Sequence, residues 1–216
     1  MNNNVIRFLR TQLKKMKRMD FFRINCSIKN YGDTFKVSKY ISGGGGNEIV
    51  VGTNSVVDGI HIRIVGHNNR IVIGNDCFLG KGCSIWCEGS NIEIVVGDKC
   101  TFTHDTQLCA QENNSIIKIG VDCMFSHHCN VRTSDSHVIY AVGDGNRLNP
   151  PGNVIIEDHV WVAPEAKILK GVTVGEGSII GTSAIVTKSI PAYSLAVGMP
   201  AKVVKQNVSW NRDKLF

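Results

Sequence analysis

Ile156-Glu157-Asp158-His159-Val160-Trp161, Val162-Ala163-Pro164-Glu165-Ala166-Lys167 and Ile168-Leu169-Lys170-Gly171-Val172-Thr173 follow one another without a break. Val174-Gly175-Glu176-Gly177-Ser178-Ile179 and Ile180-Gly181-Thr182-Ser183-Ala184-Ile185 continue the series, and Val186 opens the next six. Ile or Val always stands first. A small or aliphatic residue stands fifth, at Val160, Ala166, Val172, Ser178, Ala184 and Ile190. A period of six is neither the helix period nor simple strand alternation. It marks one side of a triangular coil repeated along an axis, a parallel β-helix. The first residue of each six is expected in the interior, and the fifth near a corner where only a modest side chain fits.

Toward the N-terminus a longer repeat takes over. Glu48-Ile49-Val50-Val51-Gly52, Arg70-Ile71-Val72-Ile73-Gly74, Glu93-Ile94-Val95-Val96-Gly97 and Ile117-Lys118-Ile119-Gly120 recur at intervals of 22, 23 and 23. Three sides of six make 18, so each coil carries one enlarged corner. The Asn and Gly residues before each segment suit such corners, because they tolerate left-handed backbone angles. Cys77, Cys100 and Cys123 each stand three places after the repeat Gly, and Cys83 and Cys129 take the same place one side later. No close C-x-x-C pair suggests metal, so these are expected to be small buried thiols at corners. Cys87 and Cys109 fall outside that pattern.

The series breaks once, at 132–153, where an outward loop is expected. Loops that interrupt a regular scaffold commonly carry function, and this one holds His137 behind Ser134, Asp135 and Ser136. Before the coils, residues 4–19 read as a basic amphipathic helix with Val5, Phe8, Leu9, Leu13 and Met16 on one face. Such a helix either caps the open first coil or rests on an anionic membrane surface. The expected division is an N-terminal helix and lead-in over 1–41, a β-helix domain over 42–204 and a tail over 205–216. The tail is expected as a short helix or an extended arm over the last coil.

Composition narrows the function classes. The net charge is +6, but residues 1–41 hold ten Lys and Arg against two Asp. The remaining chain holds fourteen against sixteen acidic residues, a balance of −2. The body is therefore no nucleic-acid surface. No apolar run reaches the roughly 18 residues of a membrane span, and no signal peptide is visible. A cytoplasmic location follows, at the inner face of the membrane if the N-terminal helix binds lipid.

Ser136-His137, Val154-Ile155-Ile156-Glu157-Asp158-His159-Val160-Trp161, Gly171-Val172-Thr173-Val174-Gly175 and Ile185-Val186-Thr187-Lys188-Ser189-Ile190-Pro191 carry a specific resemblance, completed by Val197-Gly198-Met199-Pro200-Ala201-Lys202-Val203-Val204. The chain resembles left-handed β-helix acyltransferases of the hexapeptide-repeat superfamily, in the branch of galactoside, maltose, virginiamycin and capsular polysaccharide O-acetyltransferases. Arg132-Thr133-Ser134-Asp135-Ser136-His137-Val138-Ile139-Tyr140, followed by Gly145-Asn146-Arg147, is similar to capsule and sialic-acid polymer O-acetyltransferases. The resemblance is close over 124–205 and loose over 44–123.

It implies a left-handed coil, a homotrimer with sites between chains, acetyl-CoA as co-substrate and no metal. It implies His137 as the base for a saccharide hydroxyl, a task an imidazole suits at neutral pH. It places Trp161 at the pantetheine channel, Thr182 and Thr187 against the co-substrate, and Lys188, Lys202 and Lys205 near its phosphates. Ser126 is a weak candidate for the oxyanion contact. Pro164 and Thr103 depart from relatives that carry Ser and Asn there. Arg132 and Arg147 flank His137 and would favour an anionic acceptor. The alternatives are a small-sugar or xenobiotic acetyltransferase, a γ-carbonic-anhydrase-like zinc enzyme and a non-catalytic solenoid. The zinc reading would use His104, His127 and His128, whose spacing does not resemble that family; otherwise these histidines and His159 read as outward-facing coil residues.

Overall fold

The computed structural model describes residues 26–215; the helix expected over 4–19 lies outside them. Every element in this span is a β-strand. Seven strands stack in parallel as a first face, from Cys26–Asn30 through Asn47–Val51, Arg70–Ile73, Glu93–Val96, Ile116–Ile119 and Val154–Ile156 to Thr173–Val174. The second face stacks Phe78–Leu79, Thr101–Phe102, Met124–Phe125, Trp161–Val162, Ile179–Ile180 and Ser194–Val197. The third stacks Ser84–Glu88, Gln107–Gln111, Asn130–Arg132, Lys167–Ile168 and Ile185–Val186. Val56–Val65 is long enough to turn the corner between them, pairing with both Phe78–Leu79 and Ser84–Glu88. The result is a three-sided parallel β-solenoid. Cys26–Asn30 and Thr34–Gly43 already pair with the next coil, so from Cys26 onward the expected lead-in is solenoid.

The hexad rule places the core. Ile156, Val162, Ile168, Val174, Ile180 and Val186, the first residues of each six, are all buried, and so are the fifth residues from Val160 to Ile190. Because strands stack in register, equal positions form columns. Leu79, Phe102, Phe125, Val162 and Ile180 pair in turn along the second face. The Phe102 and Phe125 rings stack with centroids 4.5 Å apart and planes 10° apart.

The corners satisfy their own backbone. Asn47 Nδ2 donates to Gly66 O, and its Oδ1 accepts from Asn69 N one coil on. Asn69 repeats the pattern with Gly89 O and Ile92 N. Gly66 sits at φ 120°, and a β-carbon there would lie 1.9 Å from Gly89 O. Cys77, Cys100 and Cys123 donate their thiols to carbonyls of the following coil, at Gly97, Gly120 and Glu157. All eight cysteines are free and buried. Burial pushes the Cys83 and Cys129 thiols up to about 11. They are protonated and unreactive at neutral pH, as the corner reading expects.

The tail takes the second of its two expected forms, an extended arm that starts on the last coil. Lys202–Gln206 pairs antiparallel with Ser194–Val197. Val208 N donates to Tyr193 O, and the chain then runs back along the corner between the first and second faces, with no helix. Trp210 stacks on His159 with centroids 4.3 Å apart, and its Nε1 donates to His159 O at 2.8 Å. Arg212 donates to Asp122 Oδ1, Thr101 Oγ1 and the carbonyls of Lys99 and Cys123.

Candidate functional site

The expected loop is present. The third face ends at Arg132, and the first face resumes at Val154. Between them the chain leaves the solenoid at the corner joining the third and first faces. A web of polar contacts fixes its base. Ser134 Oγ donates to Glu112 Oε1 at 2.6 Å, and Ser136 Oγ to Gln111 Oε1 at 2.6 Å. Arg147 grips both Glu112 oxygens, at 2.6 and 2.8 Å. Lys170 Nζ donates to Asp135 Oδ2 at 2.5 Å. Asn149, nearly buried, donates to Asp135 Oδ2 and to His137 O and accepts from Ile139 N.

These contacts present His137. Ser136 takes φ 66°, the left-handed conformation that non-glycine residues also take at the solenoid corners. Its N–H donates to Ser134 Oγ. The chain turns there, and His137 stands exposed with its carbonyl held by Asn149.

Arg147 anchors the loop from beneath. Its guanidinium holds the Glu112 carboxyl below the usual carboxylate range. Lys170, then Asn149, does the same for Asp135. A depressed folded pKa stabilises above the ordinary carboxylate range, and the gain is lost as pH falls through the lowered value. The loop is therefore expected to stay anchored at neutral pH and to loosen only as pH falls below the ordinary carboxylate range. Glu112→Gln should speed amide exchange across residues 134–149 while leaving exchange in the solenoid strands unchanged. Equal protection of the loop in that variant would show that the pair does not hold it.

Arg132 is different. Its Nε is buried and has no hydrogen-bond partner among the described residues. It pairs in register with Cys109, which is buried yet lies outside the main core. Burial pushes that thiol up, against the pull of the Arg132 charge.

Of the expected co-substrate residues, Trp161, Thr182, Lys202 and Lys205 lie elsewhere on the prism. Trp161 faces outward from the second face. Register carries its position through Ile179 and Leu195 to Lys205 on the edge strand. Three strand steps separate Trp161 from Lys205, roughly 14 Å. Lys202 pairs with Val197 on the same edge. The Trp161 Nε1 is buried with no partner among the described residues, and its ring lies 6.1 Å from that of Trp210. Thr182 stands at the corner between the second and third faces, with Ser126, Thr103 and Pro164. Thr187 and Lys188 follow the last third-face strand, on the corner that carries the His137 loop. Within one chain, His137 and Trp161 thus belong to different corners.

Glu112, Asn149 and Lys170 were not singled out from sequence, and neither were Trp210 and Arg212. Glu112 was within reach, because Ser134 follows it by one coil period of 22 residues. The histidines treated as outward coil residues do come together. His104, His127 and His128 meet at the corner between the second and third faces.

A three-sided parallel solenoid built on six-residue sides, with one loop leaving it after Arg132, defines a class. Residues 153–188 match the bacterial transferase hexapeptide family (six repeats), and the chain resembles hexapeptide-repeat acyltransferases. Along 88% of its length it superposes on 92% of the polysialic acid O-acetyltransferase OatWY, with a TM-score of 0.73 and 27% identity. A mutant of the N-acyltransferase AntD from Bacillus cereus, solved with dTDP and coenzyme A, shares the fold at a TM-score of 0.57 and 19% identity, over 72% of this chain and 83% of that one. Among curated proteins, a chloramphenicol acetyltransferase from Agrobacterium fabrum is 44% identical over 61 residues, 28% of this chain and 29% of its own length. A putative acetyltransferase from Schizosaccharomyces pombe is 53% identical over 51 residues, 24% of this chain and 25% of its own. The matched stretches thus span less than a third of those relatives.

Proposed function

We propose that the protein is an O-acetyltransferase that moves an acetyl group from acetyl-CoA to a hydroxyl of an anionic, cell-envelope saccharide. The observation that carries this reading is the placement of an exposed histidine, its backbone carbonyl held by Asn149, on a hexapeptide solenoid that resembles a polysialic acid O-acetyltransferase.

Acetyl-CoA supplies an activated thioester. The residues present fit it: Trp161 offers a buried N–H with no partner among the described residues, Lys205 offers a cation some 14 Å away for a phosphate, and Lys202 adds a second on the same edge strand. His137 takes the proton from the acceptor hydroxyl as that oxygen attacks the thioester carbon. It then returns the proton to the leaving thiol. Attack is direct, so the buried cysteines have no part in it. Arg132, which makes no salt bridge among the described residues, is the flanking arginine assigned to an acceptor carboxylate, since Glu112 already neutralises Arg147.

The functional unit is a homotrimer. His137 and Trp161 occupy different corners of one prism, so a single thioester meets both only between two chains. The loop beyond His137 is apolar and uncovered at Val138, Ile139, Tyr140, Val142 and Leu148, with Val142 98% exposed. A neighbouring copy would bury that surface. The N-terminal basic segment serves as a cap or a membrane contact, apart from the chemistry, and the enzyme works on the cytoplasmic side.

Release of the coenzyme A thiol, measured against sialic-acid oligomers, neutral sugars and antibiotic alcohols, tests the acceptor class. Turnover is expected with the charged oligomers. Turnover with small neutral acceptors alone would overturn the polysaccharide assignment and favour the small-sugar or xenobiotic alternative.

A further inference from the structure

The corner between the second and third faces holds a group of ligating side chains that the acyl-transfer reading does not use. His104, Asp105 and His128 each bring a ligand atom to within 4.8 Å of the others. Coil stacking causes this. Asp105 and His128 occupy the same corner position one coil apart, both in the left-handed conformation, at φ 52° and 57°. The corner backbone fixes their spacing: Asp105 N donates to Lys81 O, and His128 N to His104 O. His104 Nδ1 lies 2.8 Å from Asp105 Oδ2, so the carboxylate orients the ring. His127 stacks on His104 at 5.1 Å and meets His128 edge-on at 5.4 Å. The three rings therefore form one block in which His127 walls the pair.

We infer that His104, Asp105 and His128 form a binding site for a borderline divalent metal ion of the zinc class. Two imidazoles and a carboxylate suit such an ion, while a hard cation prefers oxygen ligands alone. The side chains are partly exposed, which leaves room for an ion to enter and for water to complete its shell. The ligands come from two successive coils of a rigid stack, so they are held near one another before the ion arrives.

Isothermal titration of Zn²⁺ into the full chain, stripped of metal beforehand, tests the site. Saturable binding of about one ion per chain is expected. His128→Asn keeps a residue that tolerates the left-handed corner but removes the imidazole, and it should weaken binding at least about tenfold. His104→Gln and Asp105→Asn should also weaken it. His67→Ala, which changes a histidine at another corner, should leave the isotherm unaltered. Absence of saturable binding, or binding that survives both His104→Gln and His128→Asn, would overturn the site. Circular dichroism of each variant separates loss of ligand from loss of fold. The readout needs no acyl transfer, so it stands apart from the proposed activity.

Discussion

His137→Ala is expected to lower acetyl transfer by about 10²- to 10⁴-fold, the usual range for a lost general base. A saccharide hydroxyl is a weak nucleophile until its proton is taken, and His137 stands exposed on a loop tied to the solenoid. Ser136 turns the chain, Asn149 fixes the His137 carbonyl, and Arg147 and Lys170 tie the loop base to the solenoid. None of these contacts depends on the imidazole, so the variant should keep its loop and its affinity for acetyl-CoA. Pre-steady-state thiol release together with direct acetyl-CoA titration separates the two. Near-normal turnover would move the base to another residue. A fall in acetyl-CoA affinity as large as the fall in rate would show that His137 binds rather than deprotonates.

Phe125→Ala is expected to destabilise the solenoid by about 3–5 kcal/mol. Phe125 is fully buried and stacks on Phe102 in the interior column of the second face. Its strand pairs on one side with Thr101–Phe102 and on the other with Trp161–Val162. The cavity would open next to the coil that carries Trp161. Neighbouring rungs cannot close it, because their backbones are locked in register by the corner hydrogen bonds. Chemical denaturation of the purified protein would measure the loss. A change below about 1 kcal/mol would mean that the stack relaxes around the gap, contrary to the close packing of a protein interior.

The solenoid was legible because its signal is repeated and local. Ile or Val at every sixth place marks the interior, and one register error would have broken the series. The enlarged corners were legible for the same reason, through Asn and Gly at fixed intervals. The His137 loop showed as the place where the series stops. What the sequence concealed is contact without a period. Trp210 and Arg212 reach corners 51 and 90 residues earlier in the chain, and no repeat predicts that path. Arg147 read as a free cation because its partner Glu112 lies 35 residues away. The histidine corner was half legible: His104 and His127 differ by one coil period of 23, so counting coils rather than seeking a known spacing would have stacked them. The separation of His137 from Trp161 needed the faces themselves, since only the topology shows which corner each occupies.

Mixing His137→Ala chains with Trp161→Ala chains, at an acetyl-CoA concentration too low for Trp161→Ala chains to use, tests the shared site most directly. His137→Ala chains keep Trp161, and Trp161→Ala chains keep His137. If the site lies between copies, reassembling the two from a common unfolded or co-expressed pool restores some intact sites. Random pairing would return about a quarter of the wild-type rate, the chance that an intact His137 faces an intact Trp161 across an interface. Thiol release near that level, from a mixture whose separate components are both nearly silent, is the predicted result. Mixed oligomers that form and yet remain as inactive as either parent would contradict a site built from two chains.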